Sequence, residues 1–320
     1  AKNIANFLRT NHNEIILSPK EVLNIIPNLP SIYSEPFADS SQIPTALICR
    51  ETKIRGIDVA LTGDGGDEIF GGYVRHFKGA NIWSKLKFIP YTIRSKIGSL
   101  IKFSSPSIIS KLDSLSENNL FSQKALKVAT RLKNIRSSDD LYRSLLMENI
   151  PNSIFSKEYL TELNDPFNDY YSDLNDFPIS LTNDAVSRML YWDAISYLPD
   201  DILVKVDRAS MAYSLETRAP FLDKDVVEMA WKIPTKMKVK NGAGKLILKK
   251  LLCKYLPKEY IYKPKKGFGV PLKDWLRGPL KEWSEELLFG QAIKDQNYFS
   301  IDKVKIIWDD HLNKKIDNTR

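Results

Sequence analysis

Leu61-Thr62-Gly63-Asp64-Gly65-Gly66-Asp67-Glu68-Ile69-Phe70-Gly71-Gly72-Tyr73 is the stretch from which the fold can be read. Just upstream, Ile57-Asp58-Val59-Ala60-Leu61 is short, apolar and partly β-branched, which predicts a buried strand of a parallel sheet. From Thr62 to Asp67 the side chains are small or absent, so backbone N–H groups can approach a ligand closely. Glu68, Ile69, Phe70, Tyr73 and Phe77 then resume a helical spacing, which places the loop at a helix N-terminus. Such an end favours phosphate, but two carboxylates would repel one. Asp64 and Asp67 make sense if one of them holds Mg²⁺, a hard cation that bridges to substrate phosphates. The competing reading is a well-capped tight turn, since Asp and Gly also serve that purpose.

Composition sets the bounds. The chain has 320 residues, 43% hydrophobic and 27% charged, enough for one large core or two lobes of a globular protein. No stretch approaches about 18 uninterrupted apolar residues, so no membrane span is expected. The net charge of +8 comes from scattered lysines rather than one basic tract, which argues against nucleic acid as a partner. Cys49 and Cys253 are too few for a disulfide framework, so a reduced, cytoplasmic setting is expected. His12, His76 and His311 lie far apart without zinc-ligand spacing and read as structural or surface residues. The opening Ala1-Lys2-Asn3-Ile4 has neither an initiator Met nor a signal-peptide centre and reads as a cut inside a longer chain.

Going outward from the loop, Glu14-Ile15-Ile16-Leu17 predicts a short strand, and Ser18 with Glu21 predicts a capping box opening a helix over 19–26. Ser34 to Pro44 predicts a loop that opens a helix running toward Glu51. This alternation is part of a parallel sheet with helical crossovers. Amphipathic helices follow from Trp83 to Ile150, then an acidic and aromatic connection over 152–178. A helix through Trp192 is expected to stop at Pro199, with Asp200 capping the next one, which runs into SLETRAPFLD at 214–223. Gly242-Ala243-Gly244-Lys245 lacks the spacing of a phosphate loop and is rejected as one. Lys263 to Pro271 holds adjacent lysines in a loop stiffened by two prolines. After Trp275 the pattern is helical to the end.

GDGGDEIFGGY at 63–73 closely resembles the second signature of the asparagine synthetases, the glutamine-dependent amide-forming branch of the ATP-pyrophosphatase superfamily. EPFADSSQIP at 35–44, YLPDDILVKVDRASMAYSLETRAPFLD at 197–223 and KPKKGFGVP at 263–271 resemble further stretches of that family. The resemblance implies an α/β fold: a partial parallel sheet of the ATP-pyrophosphatase type followed by a mostly helical lobe. It divides the chain into residues 1–80 as part of the nucleotide-binding core, 81–180 as a helical lobe, and 181–320 as a helical part that completes the site. The family's first ATP loop, a serine-glycine-glycine-x-aspartate-serine motif, is nowhere in these residues and is expected upstream, behind a glutaminase domain with an N-terminal cysteine.

What the resemblance implies for the residues is specific. ATP and Mg²⁺ are the implied cofactors; the partners are aspartate, ammonia drawn from glutamine by the upstream domain, and a second copy in a homodimer. Asp67 is the metal ligand, and Asp64 faces the substrate or the incoming ammonia. Thr62, Gly63 and Gly65 contact the nucleotide, and Lys265, with Lys266 as the near alternative, stabilises the phosphorus and later the oxyanion. Ser40, Ser41 and Gln42 help shape the aspartate pocket, although such polar residues also serve as caps. Glu216 and Arg218 sit at the cleft mouth, while Asp207 and Arg208 hold their helix against the sheet. The implied reaction is adenylation of the aspartate side chain followed by attack of ammonia. Two alternatives stand beside it: an amidotransferase or β-lactam-synthetase-like enzyme acting on another carboxylate, and an inactive fragment lacking the first ATP loop.

Overall fold

The computed structural model describes residues 2–16, 18–103, 128–129, 131–146, 154–162, 184–262, 270–315 and 317–319. The chain forms two compact units. One combines Ala1–Ala80 with Val186–Pro271; the other combines Asn81–Ala185 with Leu272–Arg320. Helices dominate both, and among the described residues the sheet is two parallel strands.

In the first unit β1 (Val59–Leu61) pairs in parallel with β2 (Glu216–Arg218), Val59 opposite Glu216 and Leu61 opposite Arg218. Glu216 N–H donates to Asp58 carbonyl at 2.9 Å, and Thr62 N–H donates to Arg218 carbonyl at 2.8 Å, so the ladder continues into the acidic loop. The expectation of a buried strand is corrected: Leu61 is 75% exposed, and Ile57 and Val59 are exposed too. Side chains alternate across a strand, so Val59 and Leu61 share the open face with Glu216 and Arg218, while Ala60 and Thr217 turn the other way. Residues 11–16 likewise take no strand, and Ile16 is 82% exposed; a strand needs a partner for its backbone groups, and none of the described residues supplies one.

The predicted capping box is present. Glu21 N–H donates to Ser18 Oγ, Ser18 N–H donates to Glu21 Oε2 at 2.7 Å, and the helix runs Pro19–Ile25. The helix toward Glu51 spans Gln42–Ile54 and buries Ile43, Ala46, Leu47 and Cys49. It packs closely on the Val204–Met211 helix. Behind the acidic loop, a short helix over Gly66–Phe70 seats Ile69 and Phe70 against Ala230, Phe221, Val226, Val227, Ile247 and Leu248. The helical spacing through Phe77 is split in two, because Gly71 at φ +73 ends the first helix before Val74–Leu86 begins.

The expected stop at Pro199 is also corrected. Ala185–Trp192 is α-helical, Asp193–Leu203 is π-helical and Val204–Met211 is α-helical again, giving one uninterrupted rod with Pro199 and Asp200 inside it. In an α-helix the proline ring would collide with the carbonyl four residues back; the wider π winding separates them.

In the second unit Trp275, Leu280 and Trp308 are buried among helices over Leu272–Leu276, Lys281–Phe289 and Ile301–Leu312. Trp308 Nε1–H donates to Glu285 at 3.0 Å. Helices over Tyr91–Phe103, Ser138–Leu146 and Lys157–Glu162 belong to the same unit. Much of the expected connection over 152–178 lies outside the described residues.

Candidate functional site

The acidic loop owes its path to two glycines. Gly65 has φ +82, and a Cβ there would sit 2.2 Å from Leu222 Cδ2, so PFLD at 220–223 packs directly over the loop. Asp223 fixes that segment by accepting from Asp225 N–H at 2.9 Å, which caps the Lys224–Lys232 helix. Gly72 is closed in the same way: a Cβ would meet Asp67 Oδ1 at 1.6 Å and Lys245 Cε at 2.5 Å.

A cavity of about 420 Å³ opens beside this loop, lined by Thr62 and Asp64, by Thr217 and Ala219 from β2 and its exit, and by Pro199, Leu203 and Asp207 from the rod. It lies wholly within the first unit. Thr62 and Asp64, the residues expected at the nucleotide and the substrate, share this cavity with Asp207, which was expected only to brace its helix. Glu216 and Arg218 do not line it; they sit on the open sheet face and pair with each other at 2.5 Å, 54% and 64% exposed.

Asp67 carries its partner with it. Lys245 Nζ lies 2.9 Å from Asp67 Oδ1, both side chains being mostly covered. Lys245 belongs to the Gly242–Lys245 segment rejected above on its spacing. What brings it to the loop is a left-handed backbone, φ +54 at Lys245 and +75 at Gly242, together with Gly244, where a Cβ would lie 1.8 Å from Gly71 carbonyl. Lys245 N–H also donates to Phe70 carbonyl at 3.2 Å. The only sequence signal for this was two glycines before a lysine. Lys265 and Lys266 lie outside the described residues.

Ser41 and Gln42 are engaged inside their own loop. Asp39 accepts from Ser41 N–H at 2.9 Å and from Ser41 Oγ at 2.7 Å, and Gln42 Nε2 donates to Phe37 carbonyl at 2.8 Å. Ser40, which follows Asp39, is half-buried. The loop is pinned to the rod by Lys205, which is buried and donates to Asp39 Oδ2 at 2.6 Å. Burial pushes the Asp39 carboxyl up, but Lys205 and Ser41 together hold it below its ordinary value. Burial and the Asp39 charge push Asp201 up to about 6.

As a metal ligand Asp67 is chemically apt: a carboxylate oxygen at a helix start, already holding a cation in the Lys245 ammonium. Among the described residues no group of three or more His, Cys, Asp or Glu could hold a metal, so Asp67 would be one ligand beside others such as water and substrate phosphate.

A family model described as asparagine synthase matches residues 1–320. The chain belongs to the asparagine synthase family. It is 30% identical over 327 residues to asparagine synthetase [glutamine-hydrolyzing] 1 of Bacillus subtilis (strain 168), covering 100% of this chain and 47% of that protein. To asparagine synthetase [glutamine-hydrolyzing] 3 of the same organism it is 25% identical over 268 residues, 81% of this chain and 34% of the relative. To asparagine synthetase B [glutamine-hydrolyzing] of Escherichia coli (strain K12) it is 38% identical over 85 residues, 25% of this chain and 15% of the relative. The chain thus spans less than half the length of these relatives. Among the described residues of this asparagine synthase domain, no helix is long and apolar enough to cross a membrane.

Proposed function

We propose that this asparagine synthase domain forms the ATP-consuming, amide-forming half of a glutamine-hydrolysing asparagine synthetase. The observation that carries the proposal is the meeting of Thr62, Asp64 and Asp207 around one cavity, next to a mostly covered Asp67–Lys245 pair. A carboxylate does not react with ammonia at neutral pH because its oxygen leaves poorly; transfer of AMP supplies a good leaving group. The aspartate side-chain carboxylate attacks the α-phosphorus of ATP and pyrophosphate departs. Ammonia then attacks the acyl carbon, AMP leaves, and a proton is lost to solvent.

The residues of this chain position and neutralise. Thr62, Gly63 and Gly65 offer close backbone approach to the nucleotide, and Asp64 orients an amino group or ammonia. Asp67 would hold Mg²⁺, which neutralises phosphate charge when bound. Lys245 balances Asp67, and Lys265, with Lys266 as its alternative, supplies charge to the phosphates. The Ser40–Gln42 loop shapes the acceptor pocket through its backbone and Asp39 rather than through Ser41 Oγ, which is already committed. Glu216 and Arg218, paired on the opposite face of β2 from the cavity residue Thr217, have no part in the cavity itself.

The layout that accompanies this reading is a nucleotide core of the ATP-pyrophosphatase type over 1–80, a lobe over 81–180 and a completing part over 181–320. Ammonia would come from glutamine hydrolysed elsewhere in the whole protein, in the cytoplasm.

The test is aspartate-dependent exchange of labelled pyrophosphate into ATP, measured in the whole protein. Asp67→Asn should abolish exchange at all Mg²⁺ concentrations with an unchanged far-UV spectrum. Exchange that stays Mg²⁺-dependent at the wild-type level removes Asp67 from the metal site, and exchange with a different carboxylate but not aspartate transfers the proposal to another acceptor.

A further inference from the structure

Just after the acidic loop the chain enters a buried charged knot centred on Asp193. Arg75 donates to both oxygens of Asp193, Nη2 to Oδ1 at 2.8 Å and Nε to Oδ2 at 3.3 Å. His76 Nε2 meets Asp193 Oδ2 at 2.5 Å, and neither His76 nor Asp193 has exposed surface. The Arg75 guanidinium also lies 4.0 Å from the ring centroid of Tyr73 and 4.5 Å from that of Tyr197. Tyr73 in turn donates to the buried Glu68 at 2.5 Å.

These contacts join two walls. Glu68, Tyr73, Arg75 and His76 follow directly on the loop that carries Asp64 and Asp67, while Asp193 and Tyr197 open the π-helical stretch that carries Pro199 and Leu203 to the cavity. A π winding is rare and costs more than an α winding, so the stretch needs anchors to persist. Were it to rewind as α-helix, fewer residues would fill each turn, and Pro199 and Leu203 would rotate away from the cavity. Burying charges is a poor route to stability alone, because apolar residues of similar volume do as well. Here the bidentate fork and the two ring faces define one orientation, which Lys could not reproduce.

We propose that Arg75 is a positioning residue: by bridging Asp193 from the corner formed by the mutually perpendicular rings of Tyr73 and Tyr197, it holds the acidic loop and the π-helical wall at the spacing the adenylating cavity requires. The proposal deepens the synthetase reading and rests on it for the reaction, but the clamp itself can be read without turnover.

The experiment compares wild-type whole protein with Arg75→Lys and Tyr197→Leu, by amide hydrogen exchange and by aspartate-dependent pyrophosphate exchange. For Arg75→Lys, amide exchange should rise about tenfold or more over both Thr62–Gly72 and Asp193–Leu203, and stay unchanged over Gln42–Ile54. The kcat of pyrophosphate exchange should fall about tenfold or more while KM for ATP moves less than about threefold. Unchanged amide exchange in either stretch overturns the clamp, and a kcat that falls only with the folded fraction overturns its role in the reaction. If Arg75→Lys does not fold, Tyr197→Leu, which keeps the ion pair and removes one ring, must show the same pattern in smaller degree; wild-type exchange there overturns the proposal. Absence of pyrophosphate exchange in the wild type refutes the synthetase reading, while amide exchange still decides whether Arg75 joins the two walls.

Discussion

At the residue scale, Gly72 and Gly244 look interchangeable in the sequence and are opposite in consequence. A Cβ at Gly244 would strike Gly71 carbonyl at 1.8 Å, and backbone has to move to admit it. Gly244→Ala should therefore cost about 2–4 kcal/mol, seen as a lower urea midpoint. At Gly72 the obstructions are the Asp67 carboxylate at 1.6 Å and Lys245 Cε at 2.5 Å, the ends of two side chains that can swing aside. Gly72→Ala should lose less than about 1 kcal/mol in the same titration, yet abolish aspartate-dependent pyrophosphate exchange, because Asp67 leaves Lys245. The pair also marks how far single residues were legible. Thr62, Asp64 and Asp67 announce themselves by two carboxylates among glycines. Lys245 does not, since its approach depends on a left-handed turn and on Gly71 lying behind it, neither of which a local pattern encodes.

At the element scale, purely local devices were legible and long-range ones were not. Ser18 and Glu21 satisfy each other within four residues, so the capping box shows in the sequence, and Ser18→Ala should cost about 1 kcal/mol by urea unfolding. The rod through Pro199 could not be read that way, because a proline pattern signals a stop and the π winding that admits its ring has no local signature. The charged knot around Asp193 gives the fold a pH dependence. Burial lowers the His76 pKa below the ordinary 6.5 although Asp193 opposes it. An unfolded His76 thus binds a proton that the folded one refuses, and stability present above pH 6.5 is lost as the pH falls toward the folded value. Burial pushes Asp193 up, but His76 and Arg75 hold it below 3.8, which adds a loss in the same sense at lower pH. Glu68, raised by burial above 4.5, works oppositely, favouring the fold at low pH and losing that contribution as pH rises through its folded value. Urea unfolding from about pH 7.5 down to about pH 5.5 should show a falling stability that His76→Gln flattens.

At the scale of the whole molecule, each of the two units has its own buried centre. Leu280 is 1% exposed in the second unit, and Leu280→Ala should cost that unit about 2–5 kcal/mol. Amide exchange should then rise over Leu272–Leu312 and stay as in wild type over Val59–Phe70; a rise in both would join the two units into one cooperative block. A parallel pairing was expected from strand and helix alternating near the start of the chain, but residues 11–16 take no strand and β1 pairs instead with Glu216–Arg218, which no local pattern announced. The bare sheet face was not, because apolar periodicity cannot say how many neighbours a strand will find.

The partners in that sheet are separated by more than 150 residues of chain, β1 ending at Leu61 and β2 beginning at Glu216. At roughly 5–20 residues per second, a ribosome that has released the first strand needs on the order of 10–30 s to deliver the second. For all of that interval Val59, Ala60 and Leu61 have no other ladder to join among the described residues. Slower decoding across the intervening stretch should therefore lengthen the wait and lower the soluble yield, checked by comparing the supernatant fraction from synonymous genes.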